Sequence, residues 1–318
     1  MGKKYKIVSN NKLTEGLFGQ IILYVLEALP VLRNEGIDPD NVFFDITTRS
    51  YGNVFPGIFR TQLDNKGEFD CELVQLNELR LSGEFQQYTL GNDFLEINNL
   101  WNEYFILSNK FNPNNEEFKN YLGVHFRGGD KLTDTRMNTP LHLVDFIDIL
   151  DSFLNLRQGD YEGVYIASDE GEVVEKAIKK RWGHLKTYRD DTAIKSTRHA
   201  WRGHKAPEQS ANGAITDMLN LANCKTVLKS SSALSAFSKV FNPMLEIYRI
   251  NACKIVEESP YFPDAYIPLL PCFENFPEKT NKIVKSVQRE DWAAHKGTQR
   301  FLEDFAFMRR TRWDALKP

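Results

Sequence analysis

The sequence predicts an α/β protein of two domains with a mainly parallel sheet and helices on both of its faces. Three observations lead there. At 318 residues the chain is long enough for two domains of ordinary size, each burying its own core. Short apolar runs of strand length alternate with stretches of helical period, the spacing of βαβ units. One polar run, Asn112-Pro-Asn-Asn-Glu-Glu117, interrupts that alternation and reads as a boundary. The expected division is 1–115, 116–260 and a tail, 261–318, packing back across the domains.

Lys4–Ser9 reads as the first strand, followed by a Gly-containing turn and an apolar helix from Phe18 to Arg33. Val42–Ile46 and Cys71–Leu76 are further short strands. Phe94, Ile97, Trp101 and Tyr104 recur at helical spacing, with Asn92 or Asp93 as cap. Trp101 and Tyr104 lie on the apolar stripe and read as core. Beyond the boundary, strands at Tyr121–Phe126, Val164–Ala167, Leu185–Tyr188, Thr226–Leu228 and Leu245–Tyr248 alternate with helices. The helices are Leu143–Leu156, Gly171–Lys180, Ile215–Ala222 and Ala233–Phe241. A polar loop fills 189–210, and a further helix is expected at Gln299–Arg309. In parallel sheets ligands bind beyond the carboxyl ends of strands, which singles out the loops after Phe126, Ala167 and Leu228.

Composition excludes several classes. The net charge is −3, from 40 basic and 43 acidic residues, so the basic excess of a nucleic-acid binder is absent. Cys71, Cys224, Cys253 and Cys272 form no CxxC pair, giving neither a zinc signature nor a disulfide framework. The start Met-Gly-Lys-Lys-Tyr-Lys has no apolar core behind its charges, and Lys6 stands where myristoylation wants Ser or Thr. Leu17–Leu32 is interrupted by Gln20, Glu27 and Pro30, so no bilayer span is expected. A cytoplasmic setting follows as the expectation. No GxGxxG occurs, which argues against a dinucleotide-dependent oxidoreductase. The one Asp-x-Asp, Asp38-Pro-Asp40, contains a turn-forming proline and reads as structural rather than metal-binding.

Three segments carry chemistry. Gly123-Val-His-Phe-Arg-Gly-Gly-Asp-Lys131 ends an apolar strand in His125, Arg127, Gly128, Gly129, Asp130 and Lys131. Two residues without Cβ let backbone approach an anion and adopt left-handed angles. Arg127 offers a planar fork of donors and Lys131 a point charge. The bland reading is a polar βα loop braced by an Arg127–Asp130 pair. Tyr165-Ile-Ala-Ser-Asp-Glu170 ends another strand, where Ser168 or Asp169 caps the next helix, meets a ligand, or does both through different oxygens. Asp217–Phe237 leads through a strand into a triple-serine turn at a helix start, suited to phosphate. A cap explains one of those serines well and three less well. Arg198-His-Ala-Trp-Arg-Gly-His204 joins cationic and aromatic groups in a long loop, either a lid or a solvated segment.

Together these segments resemble the motifs of the superfamily of α1,6-fucosyltransferases, rhizobial chitin-oligosaccharide fucosyltransferases and protein O-fucosyltransferases. Its first motif, His-x-Arg-Arg-x-Asp-Lys in strict or relaxed form, is matched by His125 through Lys131. An Ala-Thr-Asp-Asp type strand end is similar to Ala167-Ser-Asp-Glu170, and an acidic helix start leading to a serine turn is similar to Asp217–Ser235. The resemblance implies a GT-B fold, two Rossmann-like domains facing a central cleft, with the acceptor on the first and the donor nucleotide on the second. It implies inverting transfer of fucose from GDP-fucose to a glycan hydroxyl, with no cofactor and no metal. Arg127 would clamp the β-phosphate, His125 line the diphosphate, Asp169 meet the nucleoside, and Ser231 or Ser232 hold phosphate. Gly128 replaces the motif's second arginine, which makes Lys131 the nearest replacement. The family's catalytic base falls at Thr135 by counting, leaving Asp134 or Asp130 for that role. The alternatives are a same-fold transferase using another nucleotide sugar, and a nucleotide-sugar or glycan-binding protein that has lost catalysis.

Overall fold

The computed structural model describes residues 3–9, 16–48, 50–63, 71–76, 79, 93–128, 141, 143–157, 159–191, 206–250, 263–268 and 270. The chain divides into two compact units. One comprises Met1–Asn114, Asp190–Ala222 and Ala236–Met244; the other comprises Asn115–Arg189, Asn223–Ser235 and Leu245–Pro318. The α/β class and the parallel sheets read from the sequence are both present.

The first unit contains strands β1 (Tyr5–Val8), β2 (Val42–Asp45), β3 (Phe59–Arg60), β4 (Glu72–Gln75) and β5 (Ile106–Leu107). β1 lies between β2 and β4, parallel to both, while β3 and β5 form a short antiparallel pair. Asp93 caps the helix Phe94–Tyr104, accepting from the Glu96 amide at 3.0 Å. Phe94, Ile97, Leu100, Trp101 and Tyr104 form its buried stripe, as the helical period requires. Trp101 meets Phe59 nearly edge-on at 5.0 Å between ring centroids and Phe105 at 4.6 Å. Phe55 meets Phe105 edge-on at 5.4 Å. Such tilted pairs set the ring edge of one against the π face of the other. The tripeptide from Asp38 to Asp40 opens a 3-10 turn, at whose start the Asp38 carboxylate accepts from the Asp40 amide.

The first apolar helix departs from expectation in one respect. A π-helical stretch, Leu17–Ile22, runs directly into the α-helix Leu23–Asn34. Together they are long and apolar enough to cross a membrane by length and composition, and 71% of that span is buried inside the protein. The interruptions read from the sequence are too few to lower its apolarity below that of a spanning helix. Core packing accounts for the same apolarity. Cys71 and Cys224 are free thiols, and burial pushes the Cys224 thiol far up. Cys253, Cys272 and the expected helix Gln299–Arg309 lie outside the described residues.

The second unit carries β6 (Tyr121–Phe126), β7 (Gly163–Ser168), β8 (Lys186–Tyr188), β9 (Thr226–Lys229) and β10 (Glu246–Arg249). They form one parallel sheet in the order β10-β9-β6-β7-β8. β6 is buried at every residue, which is why it reads as an apolar run rather than an alternating one. Phe126, Ile166 and Leu228 from the sheet cluster with Phe146, Ile147 and Leu150 of helix Leu143–Leu156 and with Val174 and Ile178 of helix Gly171–Arg181.

Helix Pro207–Ala222 begins eight residues before the expected Ile215. Ser210, Asn212 and Gly213 mask the apolar period there, whereas Pro207 and Glu208 are favourable in a first helical turn. We expect Trp101→Ala to lower the stability of the first unit by about 3–5 kcal/mol, the usual cost of emptying a large aromatic site. Urea unfolding followed by fluorescence of the remaining tryptophans measures it, and a loss below about 1 kcal/mol would mean this cluster is not the core.

Candidate functional site

Sheet topology selects the place. From β6 the chain proceeds outward through β7 and β8, then returns to the opposite side of β6 for β9 and β10. Beyond the carboxyl ends of β6 and β9, connections therefore leave in opposite directions, opening the crevice in which such sheets bind ligands. His125 and Lys229 are register partners across this point. The ends of β6, β7 and β9 bring together Arg127, Asp169 and the serines 230–232.

The loop after β6 is held from both flanks. On the β7 side, Ser168 Oγ donates to the Phe126 carbonyl at 2.6 Å, and Asp169 Oδ1 accepts from the Gly128 amide at 2.9 Å. On the β9 side, Ser230 Oγ accepts from the Arg127 amide at 2.8 Å, and the Ser230 amide donates to the His125 carbonyl at 2.9 Å. Asp169 Oδ2 lies 3.4 Å from Arg127 Nη1. The bracing ion pair of Arg127 is thus drawn from β7. Asp130, the partner the sequence suggested, lies outside the described residues. Asp169 turns both oxygens toward this loop, and Ser168 Oγ accepts from the Glu170 amide at the start of the next helix, at 3.0 Å.

Arg127 retains 21% of its side-chain exposure while Asp169 retains 8%. A planar guanidinium has five N–H donors in a fixed fork. The arrangement fixes the direction of the fork at the rim of the crevice. Such a group suits a diphosphate, since charge-assisted and two-pronged hydrogen bonds are the strong ones.

His125 is placed differently from Arg127. Its ring is only 4% exposed, and Nδ1 lies 2.9 Å from Ser235 Oγ, in the helix that follows the serine turn. Burial, then the charges of Lys229 and Arg127, hold its pKa well below the usual imidazole range. The ring is neutral at neutral pH and ties β6 to Ser235.

The three serines have separate tasks, which is why a single cap explained them poorly. Ser230 braces the β6 loop, and Ser231 Oγ donates to Asp264 Oδ2 at 2.6 Å. The Ser232 carbonyl receives a long bond from Ser235 Oγ, at 3.4 Å. Ser231 is buried whereas Ser232 is half-buried, which favours Ser232 for contact with an anion. Sequence reasoning missed Lys229, Ser235 and Asp264. Lys229 is the last residue of β9 and is fully buried against Asp264. A lysine closing an apolar strand was a usable signal; its partner 35 residues on carried none.

Gly128 also differs from expectation. Its backbone is not left-handed, in contrast to Gly36, Gly52 and Gly159. A Cβ there would lie 2.2 Å from Glu170 Oε1, the far end of a flexible side chain, and 3.0 Å from the Phe126 ring. Gly129, Asp130, Lys131 and Asp134 lie outside the described residues, as does the 198–204 loop. Among the described residues, no group of three or more His, Cys, Asp or Glu is gathered as a metal site would require.

No family model matches this chain, and no curated protein matches it. Solved structures do resemble it. NodZ α-1,6-fucosyltransferase co-crystallised with GDP aligns over 79% of this chain and 96% of its own, at 14% identity and a TM-score of 0.41. Fucosyltransferase NodZ from Bradyrhizobium aligns over 78% and 96%, at 14% identity and a TM-score of 0.39. POFUT1 in complex with GDP-fucose aligns over 78% and 97%, at 11% identity and a TM-score of 0.40.

The neutral His125 has a measurable consequence. In the unfolded chain it titrates near the ordinary value of about 6.5, whereas in the fold it does not. As pH falls below that value the unfolded state takes up a proton the folded state refuses, so stability declines. We expect this residue to add up to about 1.4 kcal/mol of loss per pH unit below the unfolded pKa, and His125→Gln to flatten the decline. Chemical unfolding at a series of pH values from 7.5 to 5 tests it; equal slopes for both proteins would mean that His125 titrates normally.

Proposed function

We propose that the chain is an inverting, metal-independent glycosyltransferase of GT-B type, which moves fucose from GDP-fucose to a hydroxyl of a glycan acceptor. A cytoplasmic setting belongs to the same proposal. The observation that carries it is the convergence of three motif-bearing segments at one switch point. Arg127, Asp169 and the serine turn stand at the carboxyl ends of adjacent parallel strands, where a nucleotide diphosphate finds its binding crevice. The nucleotide would rest between the loops after Phe126, Ala167 and Leu228.

Transfer of the sugar builds negative charge on the departing diphosphate while the sugar carbon takes on cationic character. A cation placed at the diphosphate therefore stabilises the transition state more than the ground state. Arg127, aimed by Asp169, supplies that charge in this reading, with Lys131 as the second cation. Ser232 and the amides of the following helix start would meet a phosphate oxygen. A carboxylate, Asp134 or Asp130, would take the proton of the acceptor hydroxyl as the new bond forms.

Two measurements test this. Calorimetric titration of GDP in excess EDTA should give binding equal to that with added Mg2+; binding abolished by EDTA would overturn metal independence. Arg127→Ala should lose more in turnover than in donor affinity, with about 3–4 kcal/mol of transition-state stabilisation at stake. Arg127→Lys should restore little, because a point charge cannot reproduce a two-pronged contact. An Arg127→Ala protein that is less stable but equally active per folded molecule would reduce Arg127 to a loop brace.

A further inference from the structure

Asp264 opens a short 3-10 turn, Asp264–Tyr266, far along the chain from the motif segments. Its carboxylate is buried and has two polar neighbours. Oδ1 pairs with Lys229 Nζ, and Oδ2 accepts from Ser231 Oγ at 2.6 Å. Lys229 and Ser231 flank Ser230, whose hydroxyl holds the Arg127 amide. The turn itself is anchored to the sheet. The Arg249 amide donates to the Pro268 carbonyl at 2.8 Å, and the Leu270 amide donates to the Arg249 carbonyl at 2.8 Å. That alternation is the hydrogen-bond pattern of a parallel bridge, laid along β10 on the side away from β9. Arg249 Nε adds a bond to the Ile267 carbonyl at 3.0 Å.

We infer that Asp264 is a positioning residue for the anion site: it fixes Lys229 and Ser231, and through Ser230 between them it fixes the loop that presents Arg127. The inference rests on the donor-site reading above. The physical argument is that a buried carboxylate shared by an ammonium and a hydroxyl permits only a narrow geometry. A buried charge is tolerated only when paired and hydrogen-bonded, so Lys229, Ser231 and Asp264 must move together or not at all. Ser230 has a neighbour of this group on either side and cannot shift independently. Segment 263–270 thereby belongs functionally to the site although its sequence carries no motif. Lys229 serves a second end, since its retained charge, beside His125 in register, contributes to keeping that ring neutral.

The test uses Asp264→Asn in the full chain, alone and combined with Arg127→Ala, with two readouts. The first is amide hydrogen exchange over residues 121–128 in the free protein, which needs no ligand. The second is GDP affinity by calorimetry. Asp264→Asn should speed exchange of the Arg127 and Gly128 amides at least tenfold while exchange within β7 stays unchanged. It should weaken GDP binding at least tenfold in the wild-type background and less than threefold in the Arg127→Ala background, because coupled residues are not additive. Unchanged exchange at Arg127, or an equal affinity loss in both backgrounds, overturns the inference. If Asp264→Asn fails to fold, Lys229→Met with Asp264→Leu replaces the buried pair by apolar volume, an exchange that folds often tolerate. That protein should show the same fast exchange and weak binding, and protected amides would refute the role. If the wild-type chain itself ignores GDP, the donor reading falls, while the exchange result still decides whether Asp264 positions the loop.

Discussion

The site depends on how the polar groups just past β6 are satisfied. Within the sheet, β6 is paired on both sides and buried throughout, so its amides and carbonyls are used by β7 and β9. Beyond Phe126 the ladder stops, yet the backbone is still enclosed. A buried amide or carbonyl left without a partner costs about 1–3 kcal/mol. Side chains at the ends of the neighbouring strands take up this need: Ser168 at the Phe126 carbonyl, Ser230 at the Arg127 amide and Asp169 at the Gly128 amide. Residues that look like ligand contacts in the sequence are therefore first the completion of a sheet. With both the Arg127 and Gly128 amides held, the partly exposed arginine side chain leaves the sheet in one direction.

Charge is arranged by depth in the same region. At the inner level Lys229 and Asp264 form a pair sealed from solvent; at the outer level Arg127 and Asp169 form a looser pair at 3.4 Å with the arginine partly exposed. A sealed pair contributes little net stability against an apolar equivalent, but losing either member is costly, which suits it to fixing geometry. A partly exposed arginine keeps its hydration and can exchange it for an anion at smaller cost. His125 lies next to the inner level and is neutral, so it adds no third cation to compete for the carboxylates. Each basic group thus has a distinct task set by its burial.

How much of this the sequence disclosed depends on the range of each interaction. β6 and the helix Phe94–Tyr104 were legible because their signals, a continuous apolar run and a 3.6-residue stripe closed by Asp93, are local. The placement of Arg127 and the serine turn just past strand ends was legible because apolar runs followed by polar, small residues mark the loops of parallel sheets. The burial of His125, the partner of Arg127 and the distinct tasks of the serines were not, since each is decided by strand order. The sequence shows that Tyr121–Phe126 and Thr226–Leu228 are strands, but not that they are neighbours. Asp264 was the least accessible, because a residue whose role comes from two partners brought near only by folding leaves no pattern around itself. The early start of helix Pro207–Ala222 is a different failure, in which the N-terminal signal of Pro207 was outweighed by a polar first turn.

The absence of the motif's second arginine is better understood from packing than from substitution alone. At Gly128 even a methyl group would meet the Glu170 carboxylate, so an arginine there requires Glu170 to swing out of its place beside the loop. Glycine at 128 therefore goes with the present placement of the Glu170 side chain, which a larger residue would displace. The exchange also alters the electrostatics: one guanidinium is absent and a carboxylate occupies the space beside the backbone where it would have started. In the donor-site reading proposed above, the attraction is then shared by Arg127, the fork whose direction Asp169 sets, and Lys131, and the braces around Arg127 decide where its part of that charge is presented.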